Sequence, residues 1–303
     1  MKGVGFVSNP SRDWDVDAIV LIVTVSAQEC TDGDIFKFLA SVTGQRTEVL
    51  VIFRGDESEV PVEVRRCPAV ITVICILSCG LSHARNIGMN WLLQYNFPET
   101  GLVGFPDDDC TYPSDLIDIV RANAKDLGRA FLIGRYGPNF AEVNRKLFPD
   151  EPNEISSLGH GRLAASVGLF IPFGALRLVG EFAECLGAGT PLAAAEDTEY
   201  VQRLIHVGYL GLYRPNILVY HEYKTRIPTE RSSAWLVLTT AYACEDISAA
   251  IIALRAWTGF MMRWATRKIG WADCAVVLKY ALNLDTYRQL ARLRNAARSR
   301  AHL

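Results

Sequence analysis

Hydrophobic positions along the chain fall into short unbroken runs separated by stripes at helical spacing. Residues 19–25, 49–53 and 70–77 are β-branched apolar runs of strand length, the pattern of strands covered on both faces in a parallel sheet. Between the first two, Ile35, Phe36, Leu39 and Val42 recur as a helical stripe, with Thr31 or Asp32 as the expected cap and Gly44 as the stop. Strand, helix, strand is a βαβ unit, so the expected class is α/β. Residues 82–93 read as a helix and 102–105 as a short strand. Pro113 and Ser114 open a helix that turns Leu116, Ile117 and Val120 inward and ends near Gly128. Residues 134–163 mix Gly, Pro, Asn and charge without a period and read as a long loop. Residues 169–171 read as a strand and 175–182 as a short helix. A helix with Val201, Leu204 and Ile205 inward stops at Gly208, and residues 217–220 form the last strand. Beyond Arg231 the pattern is helical, which divides the chain into residues 1–230 and a helical region, 231–303.

Half of the 303 residues are hydrophobic, enough for a sizeable core. Residues 1–17 carry Asp13, Asp15 and Asp17 and no long apolar stretch, so no secretory signal is expected there. Eight cysteines stand without a CxxC pair or zinc-type spacing, and reduced thiols in a cytoplasmic protein are the simpler expectation. Residues 231–303 hold 11 Lys and Arg against 4 Asp and Glu, net +7, which leaves −9 for residues 1–230. The acidic front argues against nucleic-acid binding.

Two acidic groups carry the candidate chemistry. Asp107-Asp108-Asp109 follows an apolar strand and precedes a helix start. A hard divalent ion such as Mg2+ or Mn2+ binds one or two carboxylates together with substrate phosphates; the alternative is an acidic turn. Carboxylates at the carboxyl end of a strand lie where open α/β sheets bind ligands. Glu196-Asp197 opens a helix, a position that suits N-terminal capping and equally a general base.

The order of motifs adds to this. Leu81-Ser82-His83-Ala84-Arg85-Asn86-Ile87-Gly88, the Asp triplet, Gly180-Glu181-Phe182, Leu186-Gly187-Ala188-Gly189-Thr190, Glu196-Asp197-Thr198 and Val219-Tyr220-His221 follow one another as in the inverting family 2 glycosyltransferases. Over roughly residues 18–224 the chain resembles that family, particularly bacterial members that build surface or exported polysaccharides. The resemblance implies a GT-A fold, a Rossmann-like mixed sheet flanked by helices, here followed by a C-terminal helical extension. It also implies a nucleotide-diphosphate sugar donor, Mn2+ or Mg2+, and a saccharide or lipid-linked acceptor. Asp109 would bind the metal, Asp107 or Asp108 the ribose or a metal-bound water, and Arg85 would lie along the nucleotide. Asp197 would be the base, with Glu196 supporting it. His221 would be a metal ligand or a hydrogen-bonded structural residue. Gly187 and Gly189 would form a loop beside the donor sugar or acceptor, or simply turn. The chain departs from the family where the nucleobase is walled: Thr24, Val25 and Ser26 end the first strand, and only a displaced Asp56 follows the second.

The basic region holds Trp235, Trp257, Trp264 and Trp271. Trp257, Phe260, Met261 and Trp264 share a helical face near Arg263, Arg267 and Lys268, which suits peripheral contact with the inner face of an anionic membrane, or packing on the catalytic core or on a second copy in a homodimer. A spanning helix is not expected, because residues 234–254 contain Glu245 and Asp246. Two rival functions remain: a sugar nucleotidyltransferase, and a non-catalytic nucleotide-sugar-binding partner in polysaccharide assembly.

Overall fold

Strand β2 (Ile19–Ser26) divides its side chains between two apolar cores. Val20 and Ile22 join one, while Ile19, Leu21, Val23 and Val25 join the other. Strand β3 (Glu48–Arg54) repeats the division, with Leu50 and Ile52 against Val49, Val51 and Phe53. Runs without polar alternation are what burial on both faces requires. The computed structural model describes residues 5–7, 13–77, 79–125, 127–144, 147–155, 163–223, 228–243, 247–266 and 270–302.

The other strands are β1 (Gly5–Val7), β4 (Val70–Ile76), β5 (Leu102–Gly104), β6 (Ala130–Gly137), β7 (Asn153–Ile155), β8 (Leu169–Pro172) and β9 (Leu210–Tyr220). They form one nine-stranded sheet in the order β1-β4-β3-β2-β5-β8-β6-β9-β7. Strands β4, β3, β2 and β5 are parallel. Strand β8 runs antiparallel between β5 and β6, which returns β6 and its parallel neighbour β9 to the direction of β5. The carboxyl ends of β2, β3, β5 and β9 therefore share one edge.

Helices α2 (Asp34–Val42) and α5 (Leu116–Ala124) cover one face of the sheet with Ile35, Phe38, Leu39, Ile117 and Val120. Helices α4 (Leu81–Gln94), α6 (Phe173–Val179) and α7 (Glu196–His206) cover the other. The short α1 (Ala27–Asp32) and α3 (Val62–Arg66) follow β2 and β3. Four helices end the chain: α8 (Pro228–Tyr242), α9 (Ile247–Ala265), α10 (Trp271–Ala281) and α11 (Leu284–Ala301). Leu236, Phe260, Cys274 and Val277 bind α8, α9 and α10 into one cluster. A second cluster joins Ala234, Val237, Ala281 and Leu290 to Ala183, Leu186, Leu192 and Ala194, so apolar packing runs across the change of architecture near residue 230. No helix among the described residues is long and apolar enough to cross a membrane.

The structure corrects several expectations. The first helix starts at Ala27, capped by Ser26 rather than by Thr31 or Asp32, and Gly33 at φ 81° breaks it from α2. Residues 134–163 are not one loop: 130–137 form β6, in the middle of the sheet, and 153–155 form the edge strand β7. Gly134 and Arg135 interrupt the apolar run and hide β6, although both side-chain positions are buried. Strand β9 begins at Leu210, not 217, and its register with β6 shifts between Ile133 and Arg135. The short helix spans Phe173–Val179 rather than 175–182. On α9, Phe260 is buried against α8 and α10, and Trp257 Nε1 donates to Thr240 Oγ1 at 3.0 Å. Phe260 and Trp257 of that face are thus engaged inside the protein, while Met261 of the same face is exposed. Arg267, Lys268, Glu245 and Asp246 lie outside the described residues.

A Cβ on Gly134 would lie 2.5 Å from the Ile217 carbonyl oxygen, a backbone atom that cannot step aside. Gly134→Ala is expected to destabilise the fold by about 1–3 kcal/mol. Gly259→Ala, inside α9 with only Arg263 at 3.9 Å, is expected to stabilise it by roughly 0.5–1 kcal/mol. Urea unfolding of the two variants checks the opposite signs.

Candidate active site

The Asp triplet is clamped at both ends. After β5, Thr111 and Tyr220 exchange backbone hydrogen bonds of 2.8 and 3.0 Å, which ties the loop to the end of β9. On the other side the Tyr112 amide donates to Ser41 Oγ at 3.0 Å, and the Gln45 side chain donates to the Pro113 carbonyl and accepts from the Ile117 amide. The clamp splits the triplet. Asp107 Oδ2 and Asp109 Oδ1 lie 3.4 and 3.2 Å from His221 Nε2, just past the end of β9. Burial alone would lower the His221 pKa, but the two carboxylates outweigh it and raise the imidazole to about 9. Asp108 is set apart by its charge environment: burial, then Glu29, Asp109 and Asp107, push its carboxyl up to about 7.

Asp109, Cys110 and His221 bring one ligand atom each within 4.8 Å of one another, a candidate metal site. The oxygen and nitrogen donors of Asp109 and His221, with Asp107 alongside, fit a divalent cation.

Arg85 joins this group to the second acidic pair. Its side chain, 1% exposed, sends Nη1 to Asp197 Oδ1 at 2.9 Å and Nη2 to Ser166 Oγ at 2.8 Å, with Asp107 at 3.6 Å and Glu196 at 3.9 Å. Phe105 and Phe182 flank the guanidinium at 5.9 and 5.5 Å from their ring centres. The Ser166 amide donates to Asp197 Oδ2 at 2.9 Å, so both carboxylate oxygens are held and the plane of the group is set. Arg85 is thus neither a surface residue nor spread along an open groove; it is the buried link between Asp107 and Asp197. Nor does Asp197 cap α7: the N-cap is Ala195 at φ 71°, without a side-chain cap, in a region costly for a residue other than Gly.

Helix α4 aims its side chains at i, i+3 and i+4 toward this centre. Ser82 Oγ donates to the Leu186 carbonyl at 2.8 Å, and Asn86 exchanges hydrogen bonds of 2.7 and 3.1 Å with the backbone of Phe182. The 182–190 segment is thereby fastened to α4. Gly187 and Gly189 lie at φ 94° and 82°, and a Cβ on Gly187 would stand 3.1 Å from both Ser82 Oγ and the Glu196 carboxyl carbon. These positions need glycine for backbone shape and for close approach. Two residues beyond Asp197, Glu199 forms a fully buried pair with Arg203 at 2.8 Å, and Tyr242 of α8 donates to Glu199 at 3.2 Å.

The nucleobase positions divide. Val25 is buried in the apolar core, so only its backbone is available to a ligand. Ser26 Oγ accepts from the Glu29 amide in a capping box, and Arg54 donates to the Glu29 carboxylate at 2.7 Å. Thr24 Oγ1 makes no hydrogen bond among the described residues, and Asp56 stands exposed beyond β3. Ser166 and Asn86 had no role in the reading of the sequence. Ser166 sits in an aperiodic stretch with no signal; Asn86 lies within the α4 motif, four residues after Ser82 on the same face.

No protein-family model matches the chain, and no curated protein matches it in sequence. Among solved structures it is similar to S. aureus TarS residues 1–349, at 14% identity and TM-score 0.63, over 94% of this chain and 89% of that one, with the same values for the complex with UDP-GlcNAc. The longer TarS structure gives 16% identity and TM-score 0.59 over 91% of this chain and 55% of that one. GalNAc-T7 with UDP, GalNAc and Mn2+ gives 14% identity and TM-score 0.52 over 76% of this chain and 48% of that one. The chain has the mixed α/β GT-A fold of these proteins.

Two outcomes follow from the charges. Metal-free protein is expected to lose stability as pH rises, first between 3.8 and about 7, where folded Asp108 still binds a proton that the unfolded chain has released. A second loss follows between 6.5 and about 9 as His221 gives up the proton its partners favour. Asp108→Asn should remove the first slope and His221→Gln the second; thermal unfolding across pH measures both. Arg85→Met should cost about 3–5 kcal/mol by leaving buried carboxylates without their cation, read by denaturant titration.

Proposed function

We propose that this chain transfers a sugar from a nucleotide-diphosphate donor to a hydroxyl of a saccharide or lipid-linked acceptor, with inversion, in cell-surface or exopolysaccharide synthesis. The observation that carries the reading is the joining, through Arg85, of an Asp-His cation site at the ends of β5 and β9 to a separately held carboxylate at the start of α7. The likeness to TarS and GalNAc-T7, solved with UDP-GlcNAc or with UDP, GalNAc and Mn2+, supports a nucleotide-sugar donor.

Asp109 and His221, with Asp107, would hold Mn2+ or Mg2+, which when bound supplies positive charge to the diphosphate leaving group. Thr24, the backbone of Val25 and Ser26, and Asp56 border the donor at the strand ends. Asp197 takes the proton of the acceptor hydroxyl. The acceptor oxygen bonds to the anomeric carbon from the side opposite the diphosphate, which departs with the electron pair of its broken C–O bond. Arg85 and the Ser166 amide keep the Asp197 carboxylate aimed during this exchange, and Glu196 stands beside it against the Gly187 loop.

Asp197→Asn is expected to slow transfer by on the order of 10² to 10⁴ while donor-induced thermal stabilisation persists. Asp109→Asn should abolish the metal-dependent part of that stabilisation. Release of pyrophosphate from sugar phosphate and nucleoside triphosphate, or unchanged transfer by Asp197→Asn, would refute the assignment.

A further inference from the structure

Beside the side chains of α9 and α10 that pack inward, both helices carry large apolar side chains that stay exposed. On α9, Leu254 (65% exposed), Met261 and Met262 (67%) fall at i, i+7 and i+8. On α10, Trp271 (77%) and Leu278 fall at i and i+7, and Leu282 (69%) follows just past its end, while the Trp271 ring meets Trp264 edge-on at 4.9 Å. The α9 set lies away from buried Phe260, whereas on α10 Trp271 and Leu278 flank buried Cys274, so the exposed stripe borders the cluster that fixes both helices on α8. Large exposed apolar side chains in such numbers mark an interaction surface.

Charge selects the occupant. Residues 247–284 carry five Lys and Arg against one Asp, net +4, and Arg255, Arg263 and Lys279 are exposed beside the stripes. A symmetric pairing of two copies would set this charge against itself. A spanning insertion has no helix to make it among the described residues. We infer that the outward stripes of α9 and α10 lie on an anionic lipid surface, with their apolar side chains at the headgroup boundary and the cations beside them among the lipid phosphates. Phe260, which the protein buries for itself, is not part of this surface.

Flotation of the full chain with phosphatidylcholine vesicles, with and without phosphatidylglycerol, tests the inference. Binding is expected with phosphatidylglycerol, weakened by its omission and by salt. It should fall by on the order of tenfold or more in L254E/M262E and in W271E/L282E, since a charge at the interface opposes burial. Brominated lipid should quench the wild-type fluorescence and lose most of that quenching in Trp271→Phe, a mild change that does not depend on how the charged variants fold. Folded wild type that fails to float with anionic vesicles would overturn the inference. So would a solution dimer, seen by light scattering, that the same substitutions dissociate, because it assigns the face to a second copy. None of these residues touches the candidate active site, so donor-induced thermal stabilisation reports separately on the proposed function.

Discussion

One buried guanidinium organises the centre of this protein. Arg85 stands between Asp107 and the Glu196-Asp197 pair, and without it three carboxylates would meet in a region from which water is largely excluded. A lone buried charge is very costly, whereas a charge held by several oppositely charged and hydrogen-bonding partners is tolerated. The surrounding structure serves that arrangement. Ser82 and Asn86, on the same face of α4, fasten the segment that supplies Phe182, one of the two rings enclosing the guanidinium.

The sheet provides the other half of the geometry. By inserting the antiparallel β8 between β5 and β6, the chain returns to its original strand direction and ends β9 on the same edge as β5. The Thr111 and Tyr220 exchange then sets the Asp triplet and His221, more than a hundred residues apart in sequence, at hydrogen-bonding range. Within the triplet the outer two acids meet His221, while burial and the charges of Glu29 and its two neighbours raise the carboxyl of Asp108.

Much of this was legible in the sequence, and what was not has identifiable causes. The runs that became β2, β3 and β4 are apolar on both faces and could hardly be anything else. The acids at 107–109 and 196–197, and His221, could be singled out by their order along the chain, although turns and helix caps use the same residue types. Strand β6 was lost because Gly134, required by the close approach of Ile217, and buried Arg135 break the pattern that identifies a strand. The ion pair of Arg85 was not visible in the sequence because its principal partner lies 112 residues away, and no local pattern reports a long-range ion pair. The aromatic face of α9 left two readings open for a different reason: a stripe of Trp and Phe looks the same whether it meets lipid or the rest of the protein.

Helix α7 is held at two levels. In its first turn Asp197 belongs to the Arg85 centre, and two residues later Glu199 belongs to a buried group with Arg203 and Tyr242 of the C-terminal helices. These attachments are about 3 Å apart along the helix axis, too short for an intervening flexible joint. The carboxylate end of α7 and the C-terminal helices therefore share one short stretch of backbone, with the candidate base on one side of it and the anchor to Tyr242 on the other.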